Sequence, residues 1–247
     1  MKIALVGDVH GDFALLEALL RRACEEQGVE LAVQVGDFGF FEDRLPARPS
    51  FRLPIPLHAV CGNHEDHAFL ARAGSEGHIE RWAESNLFYQ ARATILPVGP
   101  ISIGFIGGAL HTTRPQQRHR GNVITPDQLE RAAAGFTGAR PELIVSHSCP
   151  AGIGIGMQSS PDMAWGVTEH VLMAGYDPGP PQDCGEPRLT ELWRRLTTRP
   201  RVWCFGHFHQ TRCTHLDGTC FVCLPRIHPR LPLAVWDTTT SAPPVLP

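Results

Sequence analysis

Ile3-Ala4-Leu5-Val6-Gly7-Asp8-Val9-His10-Gly11 is the stretch on which the reading of this chain turns. Its first four residues are apolar, two of them β-branched, and form a short buried-type strand. The strand stops at a glycine and then offers a carboxylate and an imidazole two residues apart. Asp12 follows as the N-cap of a helix whose Leu15, Leu16, Leu19, Leu20 and Ala23 share one face, and Gly28 closes that helix. The same grammar recurs downstream. Leu31–Val35 stops at Gly36-Asp37, Leu57–Val60 at Gly62-Asn63-His64, Leu143–Val145 at Ser146-His147, and Val202–Phe205 at Gly206-His207-Phe208-His209. Strands alternating with helices imply parallel βαβ units and an α/β fold. The connection before Leu57 carries Pro46, Pro49, Pro54 and Pro56 and is not read as helical.

In α/β sheets the C-terminal strand ends share one edge, and ligands bind there. Asp8, His10, Asp37, Asn63, His64, His147, His207 and His209 are therefore expected to meet in one crevice. Taken singly, any of these histidines is more often a hydrogen-bonded, half-buried residue than a ligand. The ordered set, each member at a strand end, is what points to metal. Oxygen and imidazole donors without thiolate suit a two-metal centre of Mn, Fe, Zn or Ni better than a structural thiolate zinc site or an all-oxygen calcium cage. Asp8 and His10 share a side of an extended segment, as do His207 and His209, and a lone carboxylate such as Asp37 can join two cations.

Composition agrees with a globular protein, and its charge does not indicate nucleic acid as a partner. The 247 residues are enough for one large domain, 43% are hydrophobic, and the formal net charge is −3, which argues against a general nucleic-acid binder. The expected layout is a single domain over 1–240, a Gly- and Pro-rich excursion over 148–187 near the site, and an extended tail over 241–247. No stretch approaches the roughly 18 apolar residues of a membrane span. Asp8 interrupts the N-terminal apolar run short of the roughly 7–15 residues of a signal peptide, so the cytoplasm is the default expectation. Eight scattered cysteines (24, 61, 149, 184, 204, 213, 220 and 223) read as reduced thiols. Cys220-x-x-Cys223 beside Cys213 and His215 resembles a zinc motif, but Asp217-Gly218 reads as a hairpin turn, and residues 220 and 223 of one strand face opposite ways. Further elements are a hairpin of Thr94–Leu96 with Ile101–Ile106, a helix from Pro126 to about Ala134 capped by Thr125, and a helix over Pro187–Thr198.

Gly7-Asp8-Val9-His10, Gly36-Asp37, Gly62-Asn63-His64-Glu65, Ser146-His147 and Gly206-His207-Phe208-His209 together resemble, in full and in order, the motifs of the calcineurin-like metallophosphoesterases. The resemblance spans residue 3 to about 224 and implies a two-sheet αββα sandwich with the site at the sheet edges. It implies that Asp8, His10 and His209 hold one metal, that Asn63, His147 and His207 hold the other, and that Asp37 bridges them. His64 is implied to assist the leaving group without binding metal. Two cations, manganese foremost, would activate a bridging water and clamp the phosphoryl oxygens of an in-line displacement.

The second motif continues Phe38-Gly39-Phe40-Phe41-Glu42. It lacks the arginine found there in the branch holding serine/threonine protein phosphatases, so that activity is not expected. Phe38, Phe40 and Phe41 read as core sooner than as an apolar wall beside the metals. Gly107-Gly108 through Arg114 to Arg118-His119-Arg120 resembles a basic loop near the site in small bacterial and phage members, where Arg114 could grip a phosphate. The expected function is hydrolysis of a small or nucleotide-type phosphomonoester or phosphodiester. A metal-dependent nuclease is the alternative, and a protein-binding module on the same fold the reading from a different class. Such a module is expected to have lost ligands, and all eight residues stand here.

Overall fold

The computed structural model describes residues 1–109, 121–153 and 185–247. Among these, eleven strands build two sheets. The first runs β11-β1-β2-β3-β4, with β1 Lys2–Val6, β2 Leu31–Gln34, β3 Leu57–Ala59, β4 Leu87–Tyr89 and β11 Ala234–Asp237. The second runs β5-β6-β7-β8-β10-β9, with β5 Thr94–Val98, β6 Ile101–Ile106, β7 Leu143–Ser146, β8 Val202–Phe205, β9 Arg212–Leu216 and β10 Thr219–Cys223. β1 to β4 are mutually parallel, as are β6, β7, β8 and β10, while β11, β5 and β9 are antiparallel edges.

Side-chain alternation turns these sheets into four layers. Ile3, Leu5 and Val33 of the first sheet pack against Ile103, Val145, Cys204 and Val222 of the second, forming a core between the sheets. The opposite faces are covered by helices. Ala4, Val6 and Ala32 meet Leu16, Leu19 and Leu20 of α1 (Phe13–Gln27), with Phe69 of α2 (His67–Ala73) and Trp82 of α3 (His78–Ala83) in the same cluster. Ile144, Trp203 and Phe221 meet Leu129 and Phe136 of α4 (Pro126–Ala139) and Leu189 and Trp193 of α5 (Pro187–Arg195). This is the αββα sandwich.

Local chemistry sets the element ends as expected. The Asp12 side chain accepts from the Leu15 N–H, and Gly28 closes α1 at φ 67°. Thr125 and Gln128 form a reciprocal capping box around Pro126. α4 runs past Ala134 to Ala139 because Phe136 continues its buried stripe, so packing overrides the two glycines in its last turns. α5 ends at Arg195, short of Thr198, where Leu196 turns extended while staying buried. α2, α3, β4 and β11 lie in stretches that carry no clear periodic signal. The tail adds an antiparallel bridge from Val245 to Val235. Asp217 and Gly218, at φ 48° and 84°, make the β9–β10 turn. Cys220 faces the core between the sheets and Cys223 the helical layer. Of the 148–187 excursion only the stems are described; there Glu186 N–H donates to the Cys149 carbonyl at 2.7 Å.

His58 on β3 stacks on Phe88 at 5.0 Å, and Gln90 Nε2 lies 3.0 Å from its Nδ1, a donor that only the neutral ring can accept. Burial pushes its pKa down from the ordinary 6.5 to about 4. The unfolded ring takes up a proton as pH falls below 6.5, and the folded ring resists until about 4. The contribution to stability is full above pH 6.5 and is lost on descending to about 4, a change on the order of 3 kcal/mol. Urea unfolding of wild type and His58→Gln across that window is expected to show a stability difference that shrinks as pH falls; a difference independent of pH contradicts it.

Candidate metal centre

β1, β2 and β3 of one sheet and β7 and β8 of the other end at a common edge, and their following loops are bonded together. The Asp37 carbonyl accepts from Val9 N–H (3.1 Å) and His10 N–H (2.7 Å), and the His147 carbonyl from Gly206 N–H (3.0 Å). Across the sheets, His207 N–H donates to Asp8 Oδ1 at 3.2 Å. The crevice therefore forms where two parallel sheets present the same end of their strands.

All eight sequence-predicted residues meet there. Asp8 is fully buried; His209 Nε2 lies 3.0 Å and His10 Nε2 3.9 Å from its Oδ2, and the two imidazole nitrogens face each other at 3.3 Å. His147, also fully buried, sets Nε2 at 2.9 Å from Asn63 Oδ1 and 3.4 Å from Asp37 Oδ1. The His207 ring stands 5.0 Å from that of His147. Two groups with mutual ligand-atom distances within 4.8 Å emerge, Asp8 with His10 and His209, and Asp8 with Asp37 and His147. Asp8 belongs to both. His64 is exposed at the rim, its ring 5.9 Å from that of His10, while its backbone N–H donates to Asp37 Oδ1 at 2.8 Å.

Backbone strain is concentrated here. His10 (φ 51°), Asp37 (52°), His207 (65°) and His209 (52°) lie in the left-handed region, four of the eight non-glycine residues that do so among the described residues. Such conformations cost of order 1–3 kcal/mol each and persist where surrounding structure imposes them. Two glycines give the carboxylates room. A Cβ on Gly206 would overlap Asp8 Oδ1, and one on Gly62 would overlap Asp37 Oδ1.

The electrostatics call for positive charge. Burial works against ionisation of Asp37, but His147 beside it and the His64 N–H outweigh that and hold its carboxyl well below the usual carboxylate range. His147 answers in the opposite direction: burial disfavours its proton, yet Asp37 and Asp8 push its pKa up to about 9. The hydrogen bond to Asp8 raises His209. Burial lowers His10 and, with help from His147, holds His207 well below its ordinary value, leaving both with lone pairs free to coordinate. Two buried carboxylates, the neutral imidazoles of His10 and His207 and an amide oxygen fit divalent cations of the Mn, Fe, Zn and Ni group, whose charge can replace the protons drawn onto His147 and His209.

Two supporting residues were not singled out as functional in the sequence. Glu65, buried, accepts from the N–H groups of Phe38 (2.7 Å), Gly39 (3.1 Å) and Phe40 (2.7 Å), pinning the loop that carries Asp37. Gln34, also buried, spans Gly7 and Gly36, with Nε2 at 3.1 and 2.6 Å from their carbonyls. The available signals were a polar residue closing the apolar run Leu31-Ala32-Val33 and an acid directly after Asn63-His64. Phe38 and Phe40 are fully buried core with tilted rings 4.8 Å apart, whereas Phe41 is only half-buried. Arg114, Arg118, His119 and Arg120 lie outside the described residues.

The chain matches a family model described as calcineurin-like phosphoesterase over residues 1–211. One solved structure superposes with a TM-score of 0.62 and 14% identity over 100% of this chain and 98% of its own. A protein of Thermus thermophilus gives 0.56 and 13% over 99% and 98%. A candidate 5′-nucleotidase of Staphylococcus aureus gives 0.52 and 12% over 91% of this chain and 48% of its own. These likenesses concern the fold. No curated protein matches the chain.

Gly206→Ala is expected to push Asp8 out of place, weakening Mn²⁺ binding at least about tenfold and stability by about 1–3 kcal/mol. Gly138→Ala, in α4 with open space around it, is the control and leaves metal binding unchanged. Isothermal titration calorimetry and thermal melts check both.

Proposed function

The chain belongs to the calcineurin-like phosphoesterase family, and from that premise we propose that it hydrolyses a small or nucleotide-type phosphoester with two divalent cations, manganese foremost. Asp8, His10 and His209 hold one cation, Asn63, His147 and His207 the other, and Asp37 joins them. The observation that supports this reading is the convergence of strand ends from both sheets on one crevice, where Asp8, His10 and His209 form one ligand group, Asp8, Asp37 and His147 a second, and Asn63 and His207 stand beside His147. Cations held there supply Lewis acidity toward phosphoryl oxygen and water.

The chain's own groups divide the remaining work. Asp8 and Asp37 provide buried negative charge, and His10 and His207, kept neutral by burial, provide nitrogen donors. Asn63 turns its Oδ1 toward His147 Nε2 and adds a neutral oxygen. Glu65 and Gln34 keep the Asp37 and Asp8 loops in register with each other. His64 stands at the exposed rim, outside both ligand groups, with its main chain tied to Asp37. From there its imidazole donates a proton to the leaving oxygen. No helix among the described residues is long and apolar enough to cross a membrane.

His64→Ala is expected to lower kcat by about 10²–10⁴-fold while metal content stays at two per chain. Loss of both metals in that variant overturns its assignment to the leaving group. Metal-stripped protein reloaded with Mn²⁺ is expected to turn over at least one of a matched pair of chromogenic phosphate monoester and diester. A strong diester preference directs attention to nucleic-acid ends and cyclic nucleotides. Turnover of neither, with two metals bound, overturns general phosphoester hydrolysis.

A further inference from the structure

The β9–β10 hairpin carries a second cluster of reactive side chains, away from the strand ends that form the metal centre. Its register pairs His215 with Cys220 and Cys213 with Val222. Alternation therefore puts Cys213, His215, Cys220 and Val222 on one face, with Cys213, Cys220 and Val222 against the core between the sheets, while Cys223 turns to the helical layer. On that face the Cys213 and Cys220 sulfurs stand 2.7 Å apart. His215, exposed, brings a ring nitrogen within 4.8 Å of both.

Two chemistries use such a group, and distance separates them. A tetrahedral cation shared by both thiolates, with metal–sulfur bonds of about 2.3 Å, needs the sulfurs roughly 3.8 Å apart. A disulfide needs about 2.05 Å. The observed separation requires a closure of about 0.65 Å for the bond, against an opening of over 1 Å for the cation.

We propose that Cys213 and Cys220 are a thiol-oxidation site that closes reversibly into a disulfide, with Cys213 the attacking and Cys220 the resolving thiol. The asymmetry comes from their places in the sheet. Cys213 is half-buried on edge strand β9, within reach of a small reagent, whereas Cys220 is buried on β10, between β8 and β9. The hydrogen bond from Cys220 lowers the Cys213 thiol below its ordinary value, and the same contact together with burial raises Cys220.

The oxidant is a low-molecular-weight disulfide, RSSR. Cys213 thiolate attacks one of its sulfurs, forming a mixed disulfide and releasing RS⁻. Cys220, passing its proton to RS⁻, then attacks Cys213 Sγ and expels the second RS⁻, which takes up the proton that Cys213 gave up to solvent. Two electrons pass from the protein to RSSR. One S–S bond is broken and one formed, and two RSH leave. Cys213 is four residues beyond His209, so the bond staples the strand that leads out of the metal centre to its neighbour.

The test reads the thiols themselves and so stands apart from hydrolysis. Reduced full-length protein is treated with glutathione disulfide, unfolded, alkylated and mapped by mass spectrometry. Trypsin releases Cys213–Arg226 as one peptide holding Cys213, Cys220 and Cys223. The expected product lacks two hydrogens, carries alkylation at Cys223 alone, and returns to three alkylatable thiols after dithiothreitol. In Cys220→Ser a glutathione adduct accumulates at Cys213, at least about tenfold faster than at Cys24, which is also half-buried but whose thiol is raised by burial. In Cys213→Ser no adduct forms at Cys220. Three alkylated thiols in the treated parent, or an adduct appearing first at Cys220, overturns the proposal. So does protection of the thiols that ends only when a chelator removes zinc, which makes the cluster a cation site instead.

Discussion

Two carboxylates, Asp8 and Asp37, are carried out of water at the ends of adjacent strands, and most of what surrounds them answers to that fact. A buried charge is destabilising by several kcal/mol unless it is paired and hydrogen-bonded. The chain meets this with His209 against Asp8, His147 against Asp37, and backbone N–H groups of His207 and His64 donated to one oxygen of each. These partners belong to loops far apart in sequence, so each carboxylate is also a point where the loops are tied together. A site that draws protons onto imidazoles in this way is one in which a divalent cation can take over the same countercharge.

The tying is strong enough to hold unfavourable backbone. His10, Asp37, His207 and His209 all sit at positive φ without being glycine, and together this amounts to several kcal/mol. Glu65, spread across three successive N–H groups, and Gln34, bridging Gly7 and Gly36, fix the same loops from beneath. Behind them lie fully buried Phe38 and Phe40 on one side and the core between the sheets on the other. Strain at the surface of the crevice is thus supported by packing in the layers below it, and His64 and His209 are the members of the group exposed at the rim.

The elements with strong local chemistry were legible in the sequence. Asp12 and Gly28 bracket α1, Thr125 with Gln128 starts α4, and Asp217-Gly218 turns β9 into β10. Other elements had little local signal. β11 pairs antiparallel with β1 across more than two hundred residues, and short α2 and α3 are ordered by Phe69 and Trp82 entering a core built elsewhere. Such segments take their conformation from long-range burial, which no window of neighbouring residues records. α4 makes the same point in reverse, since Phe136 carries it through glycines that read as a stop.

Within the candidate site the identity of the chemical groups was already in the sequence, because strands must end in turns and the residues at those turns are contiguous with the apolar runs. Eight oxygen and nitrogen donors at five such ends pointed to a metal-binding edge of an α/β fold. The tertiary structure alone decided that Asp8 belongs to both ligand groups, that Glu65 and Gln34 support the loops, and that Cys213 meets Cys220 rather than Cys223. The reason is geometric. Chain order dictates which residue follows which strand, but distances between side chains on different strands depend on sheet order, register and the stacking of one sheet on the other, all set by burial across the whole chain.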